Sequence, residues 1–355
     1  MNSPRGGGPM VRALVLFVVV AVFTLGASLE GCGPGRHRRD PNKPPVIGFS
    51  LDSLVVERWQ RDVNLFGKAA HDLGAELVLR VADQDAAVQE AQVRELMDMG
   101  IDVLVIVPND ADRLSSVVQA VKARGIPVLS YDRLVRKAGV DLYVSFDNEK
   151  VGSLMAEAIA RAVPTGGYVI INGARSDNNA AMLNKGIHSI VDPLVADGKI
   201  RLAAEIWPAS WDSDEVKSDL ESVLSRNRAI NAVIAGNDML AEAAINVLSE
   251  NRLMPFVKVA GQDAELAACQ RIAEGTQYAT IYKPIDRLAL KAAGFAVMLA
   301  KGEKIETDAT IDDGKGQVPY VRLDPILVTR DLLESTVIKD GFHTQEDVYR
   351  NVGHY

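Results

Sequence analysis

The chain has 355 residues, 48% of them apolar, and a formal net charge of -8 at pH 7. That length exceeds what one small core organises and suits two lobes of ordinary domain size with a cleft between them. The acidic balance excludes a nucleic-acid surface, which needs a basic face to collect phosphates.

Arg5 and Arg12 accompany an unbroken apolar run from Ala13 to Phe23, and small residues follow up to Cys32. This is the pattern of a signal peptide over residues 1–31. The run is shorter than the about 20 apolar residues of a spanning helix. Cleaved leader or retained anchor, either reading carries the rest of the chain out of the cytoplasm. Leu29-Glu30-Gly31-Cys32 resembles the lipobox of bacterial lipoproteins, with Glu30 where that family usually has a small or apolar residue. The resemblance implies that Cys32 is diacylated and becomes the new N-terminus. Cys269, the other cysteine, lies in an apolar helical pattern and reads as core, so no disulfide framework is expected. Residues 32–45 are rich in Gly, Pro and charge, with a basic stretch from Arg36 to Arg39, and read as a tether beside the membrane.

From Pro45 onward, short β-branched runs alternate with helical patterns. Strands are expected at Val46 to Leu51, Glu76 to Val81, Asp102 to Val107 and Ile126 to Tyr131, with helices between them closed by Gly74, Gly100 and Gly125. Strands without polar alternation are covered on both faces, which means a parallel sheet between helices. After Asp141 to Phe146 the alternation restarts: a helix from Glu149 to Ala162, strand Tyr168 to Asn172, a helix to Val191, and strand Arg201 to Ile206. Strands Ala232 to Ala235, Val257 to Ala260 and Ala279 to Tyr282 follow, again separated by helices. The expected fold class is α/β, two doubly wound parallel-sheet lobes. Lys283-Pro284 reads as a chain crossing, since Pro breaks the strand and starts the next helix.

The polar clusters fall just after apolar strands. Glu57-Arg58-Trp59, Tyr131-Asp132-Arg133, Asp177-Asn178-Asn179, Trp211-Asp212, Gly236-Asn237-Asp238, Gly261-Gln262-Asp263 and Tyr282-Lys283 all take such positions. In open parallel sheets the ligand crevice lies outside the carboxyl ends of the strands, so two facing edges would gather these groups on one cleft. Carboxylates, carboxamides and guanidinium groups suit adjacent hydroxyls, which both donate and accept. A flat indole suits the C–H face of a sugar ring. No strand is followed by the glycine spacing that cradles a phosphate.

Plainer roles compete with these. Asp177 to Asn179 and Asn237-Asp238 stand where helix caps stand. Asp132-Arg133 reads as an internal ion pair or as cleft, and Trp207 reads as core. His71, His188, His343 and His354 show no metal-ligand spacing, so neither a metal nor any other cofactor is expected. No Ser or Cys nucleophile sits in a recognisable elbow. Paired carboxylates leave a glycosidase open on composition alone.

From Val46 to about His343 the chain resembles the D-xylose-binding proteins of bacterial ABC importers, within the type I periplasmic sugar-binding family. The resemblance rests on Glu57-Arg58-Trp59-Gln60, Gly100 to Ile106, Tyr131-Asp132-Arg133, Ser145 to Gly152, Gly261-Gln262-Asp263-Ala264, Ile281-Tyr282-Lys283-Pro284 and Thr336 to His343. It implies a monosaccharide, D-xylose foremost, held without enzymatic chemistry and delivered to an ABC permease and its ATPase by a monomeric receptor. The implied sugar contacts are Arg58, Trp59, Asp132, Arg133, Asp177, Asn179, Trp211, Asn237, Asp263 and Lys283. The implied organisation is a three-strand hinge joining a first lobe of residues 46–147 plus 284–311 to a second lobe of residues 148–283 plus 312–345. A sensory receptor for a membrane kinase or chemoreceptor is the competing role. A repressor would carry a basic helix-turn-helix where this chain has its leader and tether.

Overall fold

The computed structural model describes residues 40–56 and 58–352, so the leader and Cys32 lie outside the described residues. Asp40 to Pro44, the described end of the expected tether, are exposed. The first lobe begins β1 (Val46–Leu51), α1 (Arg58–Asp72), β2 (Glu76–Val81), α2 (Ala86–Asp98), β3 (Val103–Val107), α3 (Ser115–Ala123), β4 (Val128–Tyr131) and β5 (Leu142–Phe146). The second comprises α4 (Asn148–Ala162), β6 (Gly166–Ile171), α5 (Asn178–Ala196), β7 (Ile200–Ile206), α6 (Ser213–Arg226), β8 (Ala232–Ala235), α7 (Asp238–Glu250), β9 (Lys258–Ala260), α8 (Leu266–Glu274) and β10 (Ala279–Tyr282). The chain then runs through α9 (Ile285–Ala300), β11 (Ala309–Asp312), β12 (Gln317–Leu323), β13 (Ile326–Thr329) and α10 (Gln345–Val348).

The strands form two sheets, ordered β11-β12-β5-β4-β3-β1-β2 and β13-β10-β9-β8-β6-β7. All pairings are parallel except β11 on β12 and β13 on β10, both at sheet edges. In β3, Val-Leu-Val-Ile-Val is buried throughout because alternate side chains enter different layers. Val103, Val105 and Val107 join Phe49, Phe66, Leu288 and Ala292 under α1 and α9. Leu104 and Ile106 join Leu96, Val117 and Val121 under α2 and α3. The second sheet repeats this, with Val169 and Ile171 under α6 and α7 and Tyr168 and Ile170 under α4 and α5. Gly74, Gly100 and Gly125 have φ of +76°, +79° and +81°, the left-handed conformation that ends the preceding helices.

The chain passes between the sheets at Asp147, at Lys283-Pro284 and at Asp324-Pro325. The apolar face of α9 returns it to the first lobe beside Phe49. The third crossing lies later than the expected boundary after Ile311. β12 pairs with β5 from Tyr320↔Tyr143 to Leu323↔Phe146, and Tyr320 stacks on Tyr143 at 4.7 Å. Packing of Val318 and Tyr320 into the first core keeps the chain there through Leu323. The second lobe also outruns residue 345, since Val348 is buried with Cys269 and Ile272 of α8. Helix α5 extends past the expected Val191 to Ala196, through Pro193. Ile190 and Leu194 pack on the second core and hold this last turn although Pro193 removes one backbone donor.

Candidate functional site

The ten residues picked out in the sequence line one cavity between the two sheets. Each follows the carboxyl end of its strand: Arg58 and Trp59 after β1, Asp132 and Arg133 after β4, Asp177 and Asn179 after β6, Trp211 after β7, Asn237 after β8, Asp263 after β9, and Lys283 after β10. Val56 and Gln262 complete the wall.

On the first-lobe wall, Arg58 opens α1 and is gripped by Asp62 one turn on, Nε to Oδ2 at 3.0 Å and the second nitrogen to Oδ1 at 3.3 Å. Tyr131 hydroxyl donates to the same carboxylate. This support leaves Arg58 facing Asp132 Oδ2 at 2.9 Å and Asp263 Oδ1, across the cleft, at 3.7 Å. Burial pulls the Arg58 pKa down, but Asp132, Asp62 and Asp263 outweigh it and hold the pKa well above the ordinary value. Burial raises Asp132, yet Arg58, Lys283 and Arg133 bring it below the ordinary carboxyl range. Arg133 is fixed from behind by Asp52 at 2.7 Å and reaches Asp177 Oδ2 of the other lobe at 2.8 Å. The two guanidinium carbons lie 4.6 and 5.4 Å from the Trp59 ring centre.

On the second-lobe wall, residues that cap helices also line the cavity. Asp177 Oδ1 accepts from the Asn179 backbone N–H at 2.9 Å, and its Oδ2 takes Arg133 and Trp211 Nε1 at 3.2 Å. Burial keeps this carboxyl above its ordinary pKa, with Arg133 opposing. Asn179 Nδ2 donates to Asp132 O and Oδ1 at 3.1 and 3.2 Å, a further bond between lobes. Asn237 caps α7 through Leu240 N–H at 2.9 Å and also faces the cavity. Its neighbour Asp238 is turned away into a network with Gln277 and Thr280 at 2.7 and 2.8 Å. Lys283 Nζ lies 2.7 Å from Asp263 Oδ1 as an ion pair, but outside hydrogen-bond angles, so that oxygen keeps a lone pair for another donor.

Two cavity-facing carboxylates sit on left-handed backbone, Asp132 with φ +60° and Asp263 with φ +98°. Such conformations are costly for non-glycine residues and persist where surroundings over-determine them. At Asp132 the carbonyl accepts from Tyr143, Ser145 and Asn179 at 2.8, 2.7 and 3.1 Å. The Trp211 indole is seated against glycines: a Cβ on Gly173 would lie 2.1 Å from its ring, and one on Gly236 3.2 Å. Trp207, expected in the core, is only half-buried. Its Nε1 bonds Glu205 at 2.9 Å and Arg175 lies over the ring at 4.8 Å, so its polar edge stays at the surface.

The lobes also touch away from the cavity. Ala111 N–H donates to Ser176 O at 2.9 Å, joining loops that follow β3 and β6, away from the crossing strands. Arg61 donates to Phe342 O at 2.8 Å and covers its ring at 4.3 Å. Among the described residues, no cluster of His, Cys, Asp and Glu could hold a metal, and no helix is long and apolar enough to cross a membrane.

Three carboxylates (Asp132, Asp177, Asp263) and three cations (Arg58, Arg133, Lys283) line the cavity, so it is balanced in charge. Such a site offers fixed donors and acceptors to a neutral polar ligand and has no surplus of either sign for an ionic one. Gln262 also lines the cavity and was not singled out in the sequence, although its cluster was noted. An uncharged amide between Gly261 and Asp263 carries no distinguishing pattern.

The periplasmic binding protein domain matches residues 47–304 of the chain. A D-xylose-binding periplasmic protein of Haemophilus influenzae is 43% identical over 330 residues, covering 93% of this chain and 98% of the relative. One from Escherichia coli is 42% identical over 307 residues, covering 86% and 93%. Among solved structures, a carbohydrate transporter solute binding protein from Chloroflexus aurantiacus, in complex with D-glucose, aligns with a TM-score of 0.80 at 28% identity, covering 85% of this chain and 97% of that one.

Proposed function

The chain belongs to the periplasmic binding protein family, and we propose that it captures a monosaccharide, D-xylose, between its lobes and delivers it unaltered to an ABC importer. The observation that carries this reading is the charge-balanced cavity whose donors and acceptors come from both lobes. A hydroxyl donates once and accepts twice, so a ring of adjacent hydroxyls engages carboxylates and guanidinium groups together. Trp211 offers the indole for the ring's C–H face. The likeness to D-xylose-binding periplasmic proteins from two bacteria supports the pentose over other sugars. The protein works in the periplasm as a monomer, held to a membrane by acylated Cys32 so that it stays beside its importer.

A pentose has about ten heavy atoms, so micromolar affinity, about -8 kcal/mol, asks about 0.8 kcal/mol from each. That lies under the ceiling of about 1.5 kcal/mol per atom, and reaching it requires nearly every hydroxyl to be satisfied. Calorimetric titration of the globular part with xylose, glucose, ribose, arabinose and galactose tests this. Xylose is expected to bind most tightly; heat from another sugar and none from xylose overturns the assignment.

A further inference from the structure

Among the described residues, four buried side-chain polar atoms have no hydrogen-bond partner, and three of them belong to cavity residues: Trp59 Nε1, Gln262 Oε1 and Asp263 Oδ1. Asp263 has Lys283 as an ionic neighbour, whereas the other two have nothing. Both are almost fully enclosed, Trp59 at 3% and Gln262 at 4% exposure. Buried polar atoms are otherwise nearly always paired, so such a concentration in one cavity marks atoms reserved for a ligand.

The orientation of Gln262 is fixed. Its Nε2 donates to Gly236 O at 2.6 Å, which only the amide nitrogen can do, and this leaves Oε1 as an acceptor. Trp59 stands on the opposite wall with guanidinium groups over its ring, and its unmet group is a donor. Resting on the sugar reading above, we propose that Gln262 is a specificity-determining contact: its Oε1 accepts a hydrogen bond from one ring hydroxyl, while Trp59 Nε1 donates to the ligand from the first lobe. The ionised groups around the cavity engage any polyhydroxylated ring of the right size. Gln262 adds a requirement for a hydroxyl hydrogen at one place, because a ligand lacking it leaves a buried acceptor unpaired.

The test pairs the protein and ligand changes. Affinities of xylose and its 2-, 3- and 4-deoxy analogues are measured for the wild-type protein and for Gln262→Met. The variant is expected to weaken xylose by about tenfold or more. It is also expected to bind one deoxy analogue as well as it binds xylose, while the other analogues lose equal factors in both proteins. Equal weakening of every ligand overturns the proposal, because it assigns Gln262 the structural task of holding Gly236; an unchanged profile overturns it too. Should Gln262→Met not fold, a crystal structure of the wild-type protein with xylose decides: Oε1 within about 3.2 Å of a sugar oxygen is expected, and Oε1 turned from the sugar refutes it. A wild-type protein that binds none of these sugars defeats the sugar reading itself, a result distinct from either outcome for Gln262.

Discussion

Replacing Gly173 by Ala places a methyl group where the Trp211 indole lies. The added Cβ meets three ring atoms at 2.1, 2.3 and 2.6 Å, well inside ordinary van der Waals contact. Three atoms of a rigid ring cannot all yield by rotation within the plane, so the indole must leave its seat by an ångström or more. Moving it breaks the 3.2 Å bond from Nε1 to Asp177 and withdraws the ring from the cavity. The aromatic contact is worth about 0.5–1.5 kcal/mol and the hydrogen bond about 1 kcal/mol. Together, about 2 kcal/mol, they predict an about 30-fold rise in Kd. Calorimetry gives the affinity and tryptophan emission reports the ring. Trp211→Ala should weaken binding strongly, and adding Gly173→Ala to it should cost almost nothing more, because the methyl then has nothing to displace. Wild-type affinity in Gly173→Ala, or full additivity in the double variant, refutes the seating of Trp211 as a ligand-contacting ring.

Asp263→Ala strips Lys283 of its partner and removes the interlobe counter-charge of Arg58; thermal melting should show a loss of about 3–5 kcal/mol and calorimetry no measurable xylose binding, whereas a wild-type melt contradicts the pairing. Ala111→Pro removes the N–H that joins the lobes at Ser176, so stopped-flow fluorescence should show dissociation about fivefold faster at unchanged association; an unaltered dissociation rate denies that bond a role in the closed state. Burial pushes the Asp238 carboxyl up to about 7, so the folded protein keeps a proton that the unfolded chain releases near pH ~4. This contribution to stability is full below pH ~4 and declines as pH rises to about 7, and Asp238→Asn should flatten that slope in melts from about pH 4.5 to about pH 8; an unchanged slope counts against it. Cys32→Ser should abolish an acyl group detectable on the wild-type protein by mass spectrometry, and a wild-type protein without one removes the anchor.

The fold was legible where burial on both faces made strands uniformly apolar, as in Val103 to Val107, and where glycine ended helices. It was illegible at β11 and β12, whose partly exposed residues alternate without a continuous apolar run. Their membership of the first lobe depends on Tyr320 meeting Tyr143, 177 positions earlier in the chain, which no local pattern encodes. The cavity lining was legible because parallel sheets put polar residues at strand ends, and all ten chosen residues meet there. The support behind it was hidden. Asp62 looks like any helical carboxylate until its grip on Arg58 is seen, and Asp52 until Arg133 reaches it. Trp207 and Trp211 are similar in sequence context and both half-buried, yet Trp207 lies against Arg175 while Trp211 lines the cavity, a choice made by the glycines that seat it.

The central claim, that the lobes hold a sugar between them, is tested most directly by small-angle scattering of the globular part titrated with D-xylose. Interlobe contacts such as Arg133 to Asp177 and Asn179 to Asp132 belong to the closed arrangement, and a ligand that completes the cavity should shift the population toward it. The account predicts a radius of gyration that falls as xylose is added, with its midpoint at the calorimetric Kd. A radius unchanged at saturating xylose, with heat of binding still evolved, would contradict it.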